Sequence, residues 1–112
     1  MNSAFATQSV TFVEPALIDD RGTLVPDWDD TTDHEVPGCE VQPGASEEAV
    51  LARQGVTIRW TVFAPAGTPV TAHWGAWIDG KLYQVDGEPL RWSGSISGRL
   101  NHVIVYLVDH RG

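Results

Sequence analysis

The chain has 112 residues, 42% of them hydrophobic, with one cysteine and a formal net charge of −8. That is one domain by size, and its apolar content excludes a wholly disordered chain. Seven basic against fifteen acidic residues exclude a module that grips nucleic-acid phosphates, and no apolar run approaches the ~20 residues of a bilayer span.

The first predicted strand is Val10-Thr11-Phe12-Val13, ended by Glu14-Pro15. A turn-rich acidic stretch follows, from Asp19-Asp20-Arg21-Gly22 to Asp33. Val36 and Val41 then flank Pro37-Gly38, the composition of an edge strand or a bulge. Ser46 suits a helix cap, Glu47 and Glu48 suit the positive end of a helix dipole, and Gly55 suits a stop. The spacing predicts one short helix there, as an insert over about 42–55.

Residues 56–64 are the clearest strand, with Val56, Ile58, Trp60, Val62 and Ala64 alternating with Thr57, Arg59, Thr61 and Phe63. Pro65-Ala66-Gly67-Thr68-Pro69 breaks it. Residues 70–78 and 81–85 read as two strands around Asp79-Gly80, which has the chemistry of a two-residue hairpin turn. Asp86-Gly87 ends the return strand, and Glu88-Pro89 keeps the chain extended. The run His102-Val103-Ile104-Val105-Tyr106-Leu107-Val108 is nearly all apolar and predicts a central strand covered on both faces. Five or six strands with at most one short helix make a mostly β fold, a small antiparallel barrel or sandwich with long loops spanning residues 1–112.

Catalytic and metal patterns fail on inspection. The acidic cluster from Asp27 to Glu35 has Thr32 where a calcium loop needs glycine and Gly38 where it needs glutamate. His34, His73, His102 and His110 have no ligand spacing. Gly94-Ser95-Ile96-Ser97-Gly98 lacks the central serine of a nucleophile elbow, and there is no phosphate-binding G-K-[ST]. Cys39, alone, forms no internal disulfide and reads as a small buried apolar residue. No enzyme and no cofactor is therefore expected.

Two features point to assembly instead. Charge is uneven: residues 1–52 hold eleven acids and one base, and residues 53–112 hold four acids and six bases. Such halves suit head-to-tail packing of copies. There are also five tryptophans, Trp28, Trp60, Trp74, Trp77 and Trp92. Trp74 and Trp77 fall on opposite faces of one regular strand, so one of them can lie outside the core. An exposed Trp serves as an interface anchor or as a carbohydrate or base platform.

The order of motifs also resembles a known family. Asp19-Asp20-Arg21-Gly22, Asp27-Trp28 and Val36-Pro37-Gly38-Cys39-Glu40-Val41-Gln42-Pro43-Gly44 come first. Trp60-Thr61-Val62, Ala64-Pro65-Ala66-Gly67-Thr68 and Val85-Asp86-Gly87-Glu88-Pro89 with Trp92 follow. Together they resemble the head-to-tail stopper proteins of siphophages, especially those of actinobacteria. The 94–98 loop departs from that pattern. The resemblance implies a small β-barrel in a ring of six or twelve copies at the virion neck, assembled in the host cytoplasm. Portal and adaptor proteins lie above it and a tail terminator or tail proteins below. DNA only passes through, and no membrane is involved. The implied channel plug falls on Ala45, Ser46, Glu47, Glu48, Ala49 and Val50. Asp27, Trp28 and Trp92 are the expected interface residues. The competing expectations are another phage ring protein, such as a tail terminator, and a carbohydrate-binding β module.

Overall fold

The computed structural model describes residues 7–44, 57–92 and 102–110. Among these are seven strands and no helix: β1 (Gln8–Asp20), β2 (Thr23–Pro43), β3 (Trp60–Pro65), β4 (Gly75–Ile78), β5 (Lys81–Val85), β6 (Leu90–Trp92) and β7 (His102–Asp109). Every pairing is antiparallel. The strands neighbour one another in the order β3-β2-β1-β4-β5-β7, and β3 pairs again with β7. Six strands therefore close into a barrel, and β6 is the one extra. The predicted helix over 46–54 lies outside the described residues.

Alternation builds the core. Val103, Val105 and Leu107 of β7, Val62 and Ala64 of β3, Ala76 and Ile78 of β4, and Val10 and Phe12 of β1 are all buried in one cluster. Each such Val, Leu, Ile or Phe contributes roughly 1.5–3 kcal/mol by leaving water. Cys39 joins them, fully buried, with its thiol 3.4 Å from the Val36 carbonyl. Burial pushes that thiol above its ordinary pKa, and a backbone hydrogen bond from Val10 offsets part of the effect.

The glycine turns behave as their chemistry requires. Asp79 (φ 51°) and Gly80 (φ 80°) form the two-residue turn between Ile78 and its partner Lys81. The turn after β3 closes by Thr68 N–H donating to Pro65 O at 3.2 Å, with Gly67 at φ 88°. Asp86-Gly87 does not end its strand for good. Val85 pairs with Leu107 and Leu90 with Ile104, so β5 and β6 are one path along β7, with four residues bulging opposite two.

Three expectations are corrected. Strand β7 is dry on one face only: Ile104, Tyr106 and Val108 are half-buried, because a single-layer barrel wall has only one inner side. The strand expected over 70–78 is short, with only Gly75–Ile78 paired. Residues 71–73 turn instead, Trp74 N–H donating to Thr71 O at 3.2 Å. The largest correction concerns the acidic stretch. It is no loop, for β1 continues through Pro15 to Asp20 and β2 runs from Thr23 to Pro43. The prolines are tolerated because these strands are edges over much of their length, where a missing N–H breaks no ladder bond.

Candidate functional site

Strand β4 pairs with β1 only at residues 11–13, and β3 pairs with β2 only at residues 40–43. Past Val13, β1 has only β2 beside it among the described strands, and β2 before Glu40 has only β1. Residues 16–27 are thus a two-stranded arm. Its register pairs Ala16 with Asp27, Leu17 with Pro26, Ile18 with Val25, Asp19 with Leu24 and Asp20 with Thr23. Arg21 (φ 57°) and Gly22 (φ 90°) make its tip, and Asp19 Oδ1 accepts the Gly22 N–H at 2.7 Å. Both central residues in the left-handed region give the turn that matches strand twist.

The arm is apolar on both faces. Opposite residues share a face, so Leu17, Pro26 and Leu24 lie on one side and Ala16, Ile18 and Val25 on the other. Leu17 is 47% exposed, Ile18 48% and Leu24 61%. A two-stranded ribbon is marginal alone and has no core of its own. Apolar side chains on both sides are what a ribbon carries when something else covers it.

At the base, β2 has three more residues than β1 between the Ala16–Asp27 and Pro15–Thr31 pairs. These are Trp28, Asp29 and Asp30. Asp27 Oδ1 accepts the Asp29 N–H at 3.0 Å and shapes the bulge. Half-buried Trp28 reaches Gly75 of β4 and meets the His110 ring edge-on at 4.6 Å. Asp27 thus shapes the bulge at the arm's base, and Trp28 packs that base against the barrel.

Beside the base lies a cleft of about 300 Å³ lined by Glu14, Pro15, Leu17, His34, Pro69, Thr71, His73 and Trp74. Buried Trp74 stacks on His34 at 4.7 Å, and His34 Nε2 is 2.9 Å from Glu14 Oε1. Arg91 of β6 pins the backbone on either side of Pro69, donating from Nη1 to Thr68 O (2.8 Å) and from Nη2 to Val70 O (2.6 Å). The Thr68 hydroxyl donates to Pro65 O at 2.7 Å. Side-chain contacts thus hold the Glu14, His34 and Trp74 side of the cleft and the backbone around Pro69.

The other residues expected to act at interfaces or in the channel fall elsewhere. Ala45 to Val50 lie outside the described residues. Their roots do not: Gly44 N–H donates to Arg59 O at 2.8 Å, and the Thr61 hydroxyl to Gly44 O at 2.7 Å. The insert thus leaves and re-enters at one point, at the end of β2 opposite the arm. Trp92 pairs with His102 through its backbone; its side chain lies outside what is described. Trp77 is 44% exposed and Trp74 only 6%, the split their spacing predicted.

Sequence reasoning missed Leu17, Ile18 and Leu24. The available signal was two apolar stretches, Ala16-Leu17-Ile18 and Leu24-Val25, on either side of Asp-Arg-Gly. The cleft gave no signal, since its residues come from three separate segments. Among the described residues no three His, Cys, Asp or Glu side chains converge as a metal site. The acids along β2, from Asp27 to Glu40, line an open edge, where charge suppresses indiscriminate strand pairing. No protein-family model matches the chain, and no curated protein matches it either.

Proposed function

We infer that this chain is a structural, non-enzymatic protein of a phage neck, a head-to-tail stopper. Copies form a ring beneath the portal and adaptor, close the channel after DNA packaging, and offer the surface on which the tail docks. The observation that carries the reading is the arm, an extension with apolar side chains on both faces and no core to bury them. It is the shape of a part that completes itself against other subunits. The closed barrel supports the reading, because it is a rigid body that can present an arm at one end of β2 and a rooted insert at the other. Each copy brings a net charge of −8, which suits a ring that must let DNA pass without holding it.

The test is complementation. Phage particles lacking this protein should package DNA, lose it, and carry no tails. Added purified chain should restore DNA retention and tail attachment, and imaging should place it between portal and tail. Particles that retain DNA and bear tails without the chain would overturn the reading.

A further inference from the structure

The arm and the cleft fit each other, and the geometry points to the arm tip of one copy docking in the arm-base cleft of a second copy. Leu24 is the most exposed large apolar residue among those described, at 61%, and it sits three positions from Arg21 at the tip. Arg21 is the only base in residues 1–52. The cleft offers the matching pair. Pro15, Pro69 and Trp74 give it apolar walls, and Glu14 stands at its rim. The Glu14 side chain is 47% exposed and meets His34 through Oε1, while no bond is made by Oε2 among the described residues. Leu24 in the cleft with Arg21 on Glu14 matches the apolar and the basic group of the tip to the cleft's apolar walls and acidic rim, with the Asp19 carboxylate turned back onto the Gly22 N–H and Asp20 left in solvent.

The contact must be between copies. Leu17 at the cleft's edge is only two positions from Asp19, the partner of Leu24, but the Glu14 end of the cleft is five to six extended steps from the Leu24 and Arg21 end of the arm, roughly 17–20 Å, which their side chains do not span. Arm and cleft are different surfaces, so each docking leaves one arm and one cleft free. Such a heterologous contact propagates until the ring closes. The inference rests on the neck reading only for that closure; the pairwise contact stands or falls alone.

Sedimentation velocity of the full chain, over a concentration series at low salt, tests it. Wild type should associate as concentration rises. Leu24→Asp, Arg21→Glu and Glu14→Arg should each weaken association by about tenfold or more. The double reversal R21E/E14R should recover it, because it restores the opposite charges across the contact. Leu24 and Arg21 are exposed at the tip, so their variants keep the fold, as circular dichroism will check. Chains carrying Leu24→Cys, mixed with chains carrying Thr71→Cys, should form the mixed disulfide above its statistical share. Wild type that stays monomeric throughout, a double reversal without recovery, or mixed disulfide at chance would overturn the inference. So would a monomeric chain whose Leu24→Asp variant loses binding to neck complexes, since another protein would then hold the tip. If self-association fails while complementation of phage heads succeeds, this contact is wrong and the neck reading stands.

Discussion

The ring of Trp28 lies on Gly75: a Cβ placed on that glycine would stand 3.2 Å from Trp28 Cη2 and 2.8 Å from the Tyr83 carbonyl oxygen. One residue belongs to the bulge of β2 and the other to the first position of β4. The contact therefore ties the base of the arm across β1 to the barrel wall. Gly75 is there because neither the indole nor the backbone of the next strand leaves room for a side chain.

Gly75→Ala should accordingly destabilise the fold by about 1–3 kcal/mol, the usual cost of overpacking. The loss should persist in a Trp28→Ala background. Removing the indole relieves one clash, but the Tyr83 carbonyl is backbone and cannot step aside. Thermal denaturation of the four chains of this cycle measures it. Full recovery in the double variant would mean that the indole alone sets the limit.

The arm should respond in the opposite way. Leu17→Ser, Ile18→Ser and Leu24→Ser remove side chains that are about half exposed or more. Each should change stability by no more than about 0.5–1 kcal/mol. If the chain is the proposed neck protein, together they should abolish assembly into particles. Phe12→Ala, in the core, should cost about 3–5 kcal/mol. Urea melts of the purified variants, beside particle assembly by the same variants, separate the two behaviours. An arm triple variant as unstable as Phe12→Ala would show that the arm belongs to the core.

How much of this was legible in the sequence follows from what each segment packs against. Strand β3 was legible from Trp60 on, because Val62 and Ala64 meet the core and leave a period-2 trace in the residues, whereas β7 hid its one dry face because Ile104, Tyr106 and Val108 on the other are apolar too. Asp79-Gly80 was legible because its backbone demands left-handed conformations that few residue pairs accept. The arm was hidden because Ala16-Leu17-Ile18 has no alternation: a ribbon without a dry side imposes none. Pro15 and Pro26 reinforced the loop reading, although on edge strands they cost little, while Pro37-Gly38 was legible as edge-strand composition and lies in β2. The packing of Trp28 was not legible because nothing local signals that Gly75, nearly fifty positions away, leaves a place for it.

The exposed cluster at the end of β7 gives a pH prediction. Asp109 accepts from Arg59 Nε and Nη2 at 3.2 and 3.0 Å, and Lys81 Nζ lies 3.5 Å away. The Arg59 hydrogen bonds, then the two positive charges, hold its carboxyl below the ordinary 3.8. A lowered folded-state pKa means that the stabilisation is present above the unfolded value. It is lost as pH falls through the folded one. The Tm difference between wild type and Asp109→Asn should therefore be constant above about pH 5 and shrink on acidification below 3.8. High salt should reduce it, since the partners are solvent-exposed. A difference that grows on acidification would contradict the assignment.

Cys39 should be chemically silent in the folded chain. It is buried, and its pKa is raised by that burial, so little thiolate exists at neutral pH and little reagent reaches it. Labelling by a thiol reagent should be at least about a hundredfold slower in buffer than in denaturing urea. Equal rates would place the thiol at the surface.

The insert can be tested from its roots. Gly44 N–H and Arg59 O are 2.8 Å apart, and Pro43 pairs with Trp60, so the barrel already closes this gap without help from the segment between. Deleting residues 45–54 leaves Gly55, Val56, Thr57 and Ile58 to join Gly44 to Arg59, a four-residue connection of the length hairpins use. The shortened chain should therefore fold, with a Tm within a few degrees of wild type. If the removed segment is the channel plug, particles built with it should bind tails yet lose their DNA. DNA retention by those particles, measured beside a normal melt of the same variant, would remove the plug from this segment while leaving the barrel and its arm as described.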